Sequence, residues 1–228
     1  MLLNAAELEA LRGGLIVSAQ AYPGEPMRTP QTMAQVAASA EIGGAVAVRV
    51  QGTADIQFTR SAVQVPVIGL FKDGHDGVFI TPTIHHALAV AQAGAHIVAL
   101  DGTRRARPDG KTLAETIEAV HERSAALVMA DCGSLDDALA AAEAGADLIG
   151  TTLAGYTGER EKTDGPDIQL LEQIVASTLG LPLIAEGRIH TPAQARSALD
   201  AGAFAVVVGT AITHPASITG WFDAALRA

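Results

Sequence analysis

One cysteine, Cys132, stands in 228 residues, which excludes an intramolecular disulfide and any cysteine-based zinc cluster. It follows Asp131 at an expected strand end and reads as a buried, inert thiol. Aromatic residues are scarce at 4%, whereas apolar residues as a group reach 49%. The core must therefore be built from small aliphatic side chains, which suit helices laid closely on strands. Cations are outnumbered, and the formal net charge of −10 argues against nucleic acid and anionic membranes as partners, since both require a cationic surface. No apolar run approaches the ~20 residues needed to cross a bilayer. The first residues, Met1 to Glu9, are acidic where a secretory leader would be cationic and then apolar. The chain is expected in the cytoplasm. His75, His85 and His86 cluster in sequence without partners at ligand spacing, so no metal site is expected.

What the chain does contain is a repeated alternation. Eight short β-like runs, Leu15–Ala19, Ala45–Arg49, Val67–Phe71, His96–Leu100, Ala126–Ala130, Asp147–Thr151, Leu183–Glu186 and Ala205–Gly209, are each followed by a longer stretch with helical spacing. Several are continuously apolar, as parallel strands covered on both faces should be. Before the even-numbered runs stand Gly43-Gly44-Ala45, Ala93-Gly94-Ala95, Ala144-Gly145-Ala146 and Ala201-Gly202-Ala203, where glycine can close a helix in the left-handed conformation. Counted from Gly43, these junctions recur at intervals of 51, 51 and 57 residues. That period fits a repeated (βα)₂ unit, four copies of which make a (β/α)8 barrel. One α/β barrel domain over residues 1–228 is therefore expected, in preference to a doubly wound open sheet. Asn4 to Leu11 reads as a short capped helix across the barrel's bottom.

Catalytic groups of such barrels sit at the C-terminal ends of the strands. Read in order, those ends carry Gln20, Arg49, Lys72, Asp101, Asp131, Thr151 with Thr152, Glu186 and Gly209. Lys72 follows the apolar Val67–Phe71, so burial and a neighbouring cation such as Arg49 would lower its pKa and free its amine. Glu186 ends an apolar run and invites either catalysis or an ion pair with Arg188 or Lys72. Asp131 either orients Lys72 or takes a substrate hydroxyl. Asp101, next to Arg104 and Arg105, reads as one half of a salt bridge. His190 precedes a helix start with Thr191 as cap and Pro192 at the first position. The polar stretch Gly158–Pro166 is either a mobile lid or a plain surface loop.

The last two strand ends carry Glu186-Gly187-Arg188 and Gly209-Thr210. Glycine lets backbone N–H groups approach an anion closely, and in this fold the loops after strands seven and eight are the usual phosphate grip. Gly187, Arg188, Gly209 and Thr210 are accordingly expected to hold phosphate.

Several distinctive strings carry a resemblance. They are Ser18–Pro26 (SAQAYPGEP), Ala99–Gly110 (ALDGTRRARPDG), Gly150–Thr157 (GTTLAGYT), Asp164–Asp167 (DGPD) and Ala185–Pro192 (AEGRIHTP). From about Gly13 onward the chain resembles the N-acetylmannosamine-6-phosphate 2-epimerase family of bacterial sialic acid breakdown. The resemblance implies an α/β barrel, usually dimeric. It implies interconversion of N-acetylmannosamine 6-phosphate and N-acetylglucosamine 6-phosphate with no metal or organic cofactor. Carried across by motif, the catalytic lysine falls on Lys72 and its paired glutamate on Glu186. Substrate-positioning roles fall on Gln20, Arg49 and Asp131, and phosphate loops on Gly187-Arg188 and Gly209-Thr210. The chain departs from the family's common pattern at Asp73, in the loop Gly74–Phe79 and at Gly102, where a small alanine is usual.

Such a reaction inverts the carbon bearing the N-acetyl group, beside the aldehyde of the ring-opened sugar. Lys72 is expected to act as base and Arg49 to stabilise the developing oxyanion. The rival readings are a Schiff-base aldolase, in which Lys72 attacks a carbonyl, and a sugar-phosphate sensor that has lost its chemistry.

Overall fold

The computed structural model describes residues 3–227. Eight strands, β1 (Leu15–Ser18), β2 (Ala47–Gln51), β3 (Val67–Leu70), β4 (Ile97–Asp101), β5 (Leu127–Asp131), β6 (Leu148–Gly150), β7 (Leu183–Glu186) and β8 (Ala205–Val208), pair in parallel in chain order. β8 pairs back onto β1, so the barrel is closed. An open sheet is thereby excluded, and the expected (β/α)8 barrel is the fold. Each of the eight expected runs overlaps a strand, although three of the strands, β2, β4 and β5, end one or two residues later than read.

Alternation along each strand divides the core in two. Ile16, Ala47, Ile68, Leu70, Ile97, Met129, Leu148, Ile184 and Val207 fill the barrel's interior. Val48, Val50, Val98, Val128, Ile149 and Val206 point outward and pack with helical residues such as Ile56, Val90, Ile117 and Ile174. These side chains are nearly inaccessible, and each fully buried Val, Leu or Ile contributes about 1.5–3 kcal/mol. Following the inward parity upward leads from Ile16 to Ser18, from Ala47 to Arg49 and Gln51, from Ala99 to Asp101, from Met129 to Asp131 and from Ile184 to Glu186. The lower interior is thus apolar and the upper interior ionic.

The helices between successive strands are α2 (Pro30–Ile42), α3 (Thr53–Ala62), α4 (Ile84–Gln92), α5 (Leu113–Arg123), α6 (Leu135–Glu143), α7 (Ile168–Ala176) and α8 (Pro192–Asp200). Thr29, Thr83, Thr112, Ser134, Asp167 and Thr191 cap six of them with their side chains, each cap contributing about 1 kcal/mol. Gly94, Gly145 and Gly202 take the left-handed conformation at φ 102°, 96° and 99°. At the first junction that role falls to Gly44 (φ 99°) rather than Gly43, which stays helical at φ −74°.

The first helix, α1 (Ala5–Glu9), is shorter than the expected Asn4–Leu11. Asn4 caps it in a reciprocal box with Glu7, and the turn that follows drives Leu11 into the inner apolar cluster with Ile16 and Phe204. The Gly13 N–H donates to Phe204 O at 2.7 Å, which seats this segment across the bottom. After β8 come a four-residue helix, α9 (Thr210–Thr213), and α10 (Pro215–Arg227), which buries none of its residues. No helix among the described residues is long and apolar enough to cross a membrane.

Candidate active site

A cavity of about 240 Å³ opens at the C-terminal end of the barrel. Gln20, Lys72, Glu186, Gly187, Arg188, Gly209 and Thr210 all line it, together with Ser18, Tyr22, Thr152, Tyr156, His190 and His214. The two remaining candidates, Arg49 and Asp131, lie under its floor with no surface on it, being 1% and 0% exposed. The reason is register: β2 continues two residues past Arg49 to Gln51, so Arg49 rises from one layer down inside the barrel. The expectation that Arg49 contacts a reacting oxygen directly does not suit this placement.

The floor is an ionic network. Arg49 Nη1 and Nη2 donate to the two oxygens of Asp131 at 3.1 and 2.6 Å, and Nη1 also donates to Glu186 Oε2 at 2.5 Å. Thr152 Oγ1 lies 2.7 Å from Asp131 Oδ1 and 3.1 Å from Glu186 Oε2. Room for this network comes from Gly150, the inward residue of β6, where a Cβ would stand 2.5 Å from Met129 Cε and 3.1 Å from Asp131 Oδ1. Burial opposes the charge on Arg49, but Asp131 and Glu186 more than offset it, so Arg49 is a fixed cation. Burial pushes the Glu186 carboxyl above the usual range. Arg49 pulls it back, and Asp131 adds a further upward push. The ion pair expected between Glu186 and Arg188 or Lys72 is made with Arg49 instead.

Lys72 stands just past β3, on the inward parity of Ile68 and Leu70. The surrounding protein lowers its pKa to about 8, first by displacing water and then through the charge of Arg49; Glu186 and Asp131 oppose the shift. Lys72 still presents surface to the open cavity, so water softens this depression until a ligand fills the mouth.

The chain around Lys72 is held by groups that have no chemistry of their own. Lys72 makes an isolated antiparallel bridge with Ile80. Next to it Thr81, fully buried, adopts φ +46°, a conformation that costs a β-branched residue about 1–3 kcal/mol. Its Oγ1 donates to Ala99 O at 2.6 Å and accepts from Phe71 N–H at 3.0 Å. The buried Arg107 guanidinium donates to Thr81 O at 2.7 Å and Asp101 O at 2.8 Å. Asp101 itself takes Arg105 at 2.7 Å and the Thr103 hydroxyl at 2.6 Å. Of its two arginine neighbours, Arg105 is the partner, whereas Arg104 pairs with Asp136, Asp137 and Glu159. The string from Asp101 to Arg107 is thus a clamp beneath the Lys72 loop. Gly102 is part of it, since a Cβ there would come 2.6 Å from Ala130 Cβ.

On the opposite side, Gly187 and Arg188 both have positive φ, 115° and 56°. The Arg188 guanidinium donates to Ala154 O (2.7 Å), Gly165 O (3.1 Å) and Thr163 Oγ1 (2.9 Å). Its side chain therefore fastens the loop after β6 and lies over the ring of Tyr156, a residue of the cavity wall. Residues 158–166 do not line the cavity, and Arg160 ties to Asp167 at 2.6 Å. Thr210 opens α9, the short extra helix after β8 that this fold uses beside a phosphate.

Sequence reading gave no role to Tyr22, Tyr156, His190 or His214 in the cavity wall. They lie on loops, where spacing carries no signal. His190 precedes the Thr191-capped α8 with Pro192 at its start, as expected, and its ring also meets Trp221 at 4.8 Å. The His214 ring, 5% exposed, takes the Tyr22 ring edge-on at 4.5 Å. Cys132 is buried, and burial raises its thiol well above the ordinary value, as an inert group requires. Among the described residues no three His, Cys, Asp or Glu come together in a way that could hold a metal ion.

A closed parallel barrel with a depressed-pKa lysine, a buried carboxyl and two glycine loops at its C-terminal mouth defines a (β/α)8 enzyme built to move protons. Residues 33–228 match the family described as "Putative N-acetylmannosamine-6-phosphate epimerase", and the chain belongs to that family. It is 64% identical over 221 residues to a "Putative N-acetylmannosamine-6-phosphate 2-epimerase" of Cutibacterium acnes, covering 96% of each chain. It is 49% identical to the protein of that name from Klebsiella pneumoniae, covering 95% of this chain and 91% of the relative. The structure superposes on the N-acetylmannosamine-6-phosphate 2-epimerase of Clostridium perfringens with a TM-score of 0.91 at 38% identity, covering 96% of this chain and 95% of that one. A thiamine phosphate pyrophosphorylase from Pyrococcus furiosus, 20% identical with a TM-score of 0.60 over 93% and 92% of the two chains, shares the fold alone.

Proposed function

We propose that this chain interconverts N-acetylmannosamine 6-phosphate and N-acetylglucosamine 6-phosphate in the cytoplasm, using only its own side chains. The observation that carries the reading is the shared cavity of Lys72, Glu186 and the two glycine loops. The backbone N–H groups of Gly187-Arg188 and Gly209-Thr210 hold the phosphate. That remote binding energy places the reacting carbon. Gln20, whose Nε2 donates to Ser18 Oγ at 2.8 Å, lines the cavity and helps to position the substrate. Lys72, as the neutral amine, removes the proton alpha to the aldehyde, and the electron pair moves onto oxygen as an enolate. A proton relayed from solvent through Glu186 to the opposite face inverts the centre, and Lys72 releases its proton to solvent. Glu186 holds substrate hydroxyls, while Arg49 and Asp131 fix it from beneath.

Proton NMR of the purified protein with N-acetylmannosamine 6-phosphate in heavy water tests this. The expected result is N-acetylglucosamine 6-phosphate carrying deuterium at the epimerised carbon. Product without deuterium, or borohydride trapping of substrate on Lys72, would overturn proton abstraction by a free amine.

We further infer a homodimer formed through α10. Trp221, Phe222 and Leu226 are 41%, 70% and 88% exposed. A groove of about 600 Å³ lined by Leu15, Val17, Met27, Val36 and Ile212 lies open over the outer face of β1. In a (β/α)8 barrel the helix after β8 covers this wall. An unseated apolar helix and an open apolar seat in one chain are answered by exchange with a second copy. Sedimentation should give a dimer, and Phe222→Glu should shift it to monomer; a monomeric wild type would overturn the inference.

A further inference from the structure

Thr152 stands where one hydroxyl proton must choose between two carboxylates. Its Oγ1 lies 2.7 Å from Asp131 Oδ1 and 3.1 Å from Glu186 Oε2, and 3.5 Å from Arg49 Nη1. A hydroxyl donates once and accepts at two lone pairs, so at any instant it serves one carboxylate and leaves the other to Arg49. The two carboxylates differ in setting. Asp131 is fully buried and takes both terminal nitrogens of Arg49. The Glu186 side chain is 14% exposed and lines the cavity. All its contacts with Arg49 and Thr152 go to Oε2, and Oε1 accepts no hydrogen bond from the described residues.

We propose that Thr152 is a positioning residue for the epimerisation: its hydroxyl swings between Asp131 and Glu186 as Glu186 changes charge, pinning Oε2 and presenting Oε1 to the substrate. The proposal rests on the epimerase reading of the same cavity. When Glu186 is ionised, the hydroxyl donates to Oε2 and stabilises the anion. When a proton arrives on Glu186, the hydroxyl turns to Asp131, which remains the acceptor of Arg49. Only a C–O torsion moves, so the charge on Glu186 can alternate during turnover without displacing the buried ion pair. Dipoles that need no reorganisation of heavy atoms are the kind that lower barriers in a dry site. The Thr152 hydroxyl is also one of the contacts that hold the Glu186 carboxyl down against burial, so its loss moves that group further up.

The test compares the wild type with Thr152→Val, which keeps the shape and removes the hydroxyl, and Thr152→Ser, which keeps the hydroxyl and removes the methyl. Turnover of N-acetylmannosamine 6-phosphate is followed across pH 5–9. For Thr152→Val the expected result is a kcat roughly tenfold or more below wild type, with KM within about threefold. Below the fall that Lys72 imposes near pH 8, the acid limb set by Glu186 should move to higher pH. Thr152→Ser is expected to recover kcat to within a few-fold and to restore the limb. Should Thr152→Val fail to fold, Thr152→Ala is read in its place against the same serine rescue. A valine variant with wild-type kcat and an unmoved acid limb overturns the proposal, as does a serine variant no better than valine. A wild type that turns over no N-acetylmannosamine 6-phosphate would instead overturn the epimerase reading on which the proposal stands.

Discussion

Arg49 Nη1 donates to Glu186 Oε2 at 2.5 Å, beneath the floor of the cavity rather than inside it. Because the same guanidinium grips Asp131 with both terminal nitrogens, one cation answers two buried carboxylates. Removing it should leave both without compensation. We expect Arg49→Met to lose about 3–5 kcal/mol of stability at neutral pH, the range for breaking a buried pair. Part of that loss should return on acidification, as the stranded carboxylates take up protons. Urea unfolding at two pH values checks both.

Lys72 is the proposed base, with a pKa near 8. The active form is the neutral amine, so kcat/KM should rise with pH through about 8 and level off above it. Lys72→Ala should lower kcat by roughly 10²–10⁴-fold, the span ascribed to general base catalysis, with KM within about tenfold. Near-wild-type turnover would remove Lys72 from the chemistry.

His96 lies at the bottom of the barrel, where its Nδ1 accepts the Val67 N–H at 2.9 Å. Burial, with help from Arg60, lowers its pKa to about 4. The unfolded chain binds this proton near pH 6.5, while the folded chain resists it down to about 4. Stability should therefore fall as pH drops from 6.5 towards 4, and this contribution is constant above 6.5. Thermal melts of wild type and His96→Gln over that window should show the variant with a flatter acid slope.

Gly187, at φ 115°, holds a conformation that a side chain resists. Gly187→Ala should shift the backbone N–H groups of the loop after β7 and raise KM for the phosphorylated sugar by about tenfold or more. Affinity for the unphosphorylated sugar should change less, and steady-state kinetics with the two substrates separates the effects.

The barrel itself was legible because its signals are local and repeated. Parallel strands buried on both faces must be apolar, and helices must end before each strand begins. Both demands leave short periodic marks, and the junctions before β4, β6 and β8 lie where the period puts them. Gly44 rather than Gly43 closes α2 because only the torsion angles distinguish two adjacent glycines. Three strands, β2, β4 and β5, were read one or two residues short, at or next to the inward charged residues Arg49, Asp101 and Asp131. Charge normally signals the end of a strand, yet here the inward parity simply continues into an ionic layer.

Partnership is another matter. Arg188 stands beside Glu186 in sequence but spends its guanidinium on carbonyls of the loop after β6, while Arg49, 137 residues distant, takes the carboxylate. Residues 107 and 81 likewise brace the Lys72 loop from separate segments. Order along a chain settles which residues are inward and which layer they occupy, since both follow from a period of two. Which charges meet across the barrel depends on closure and register, quantities of the whole ring that no single stretch of residues encodes.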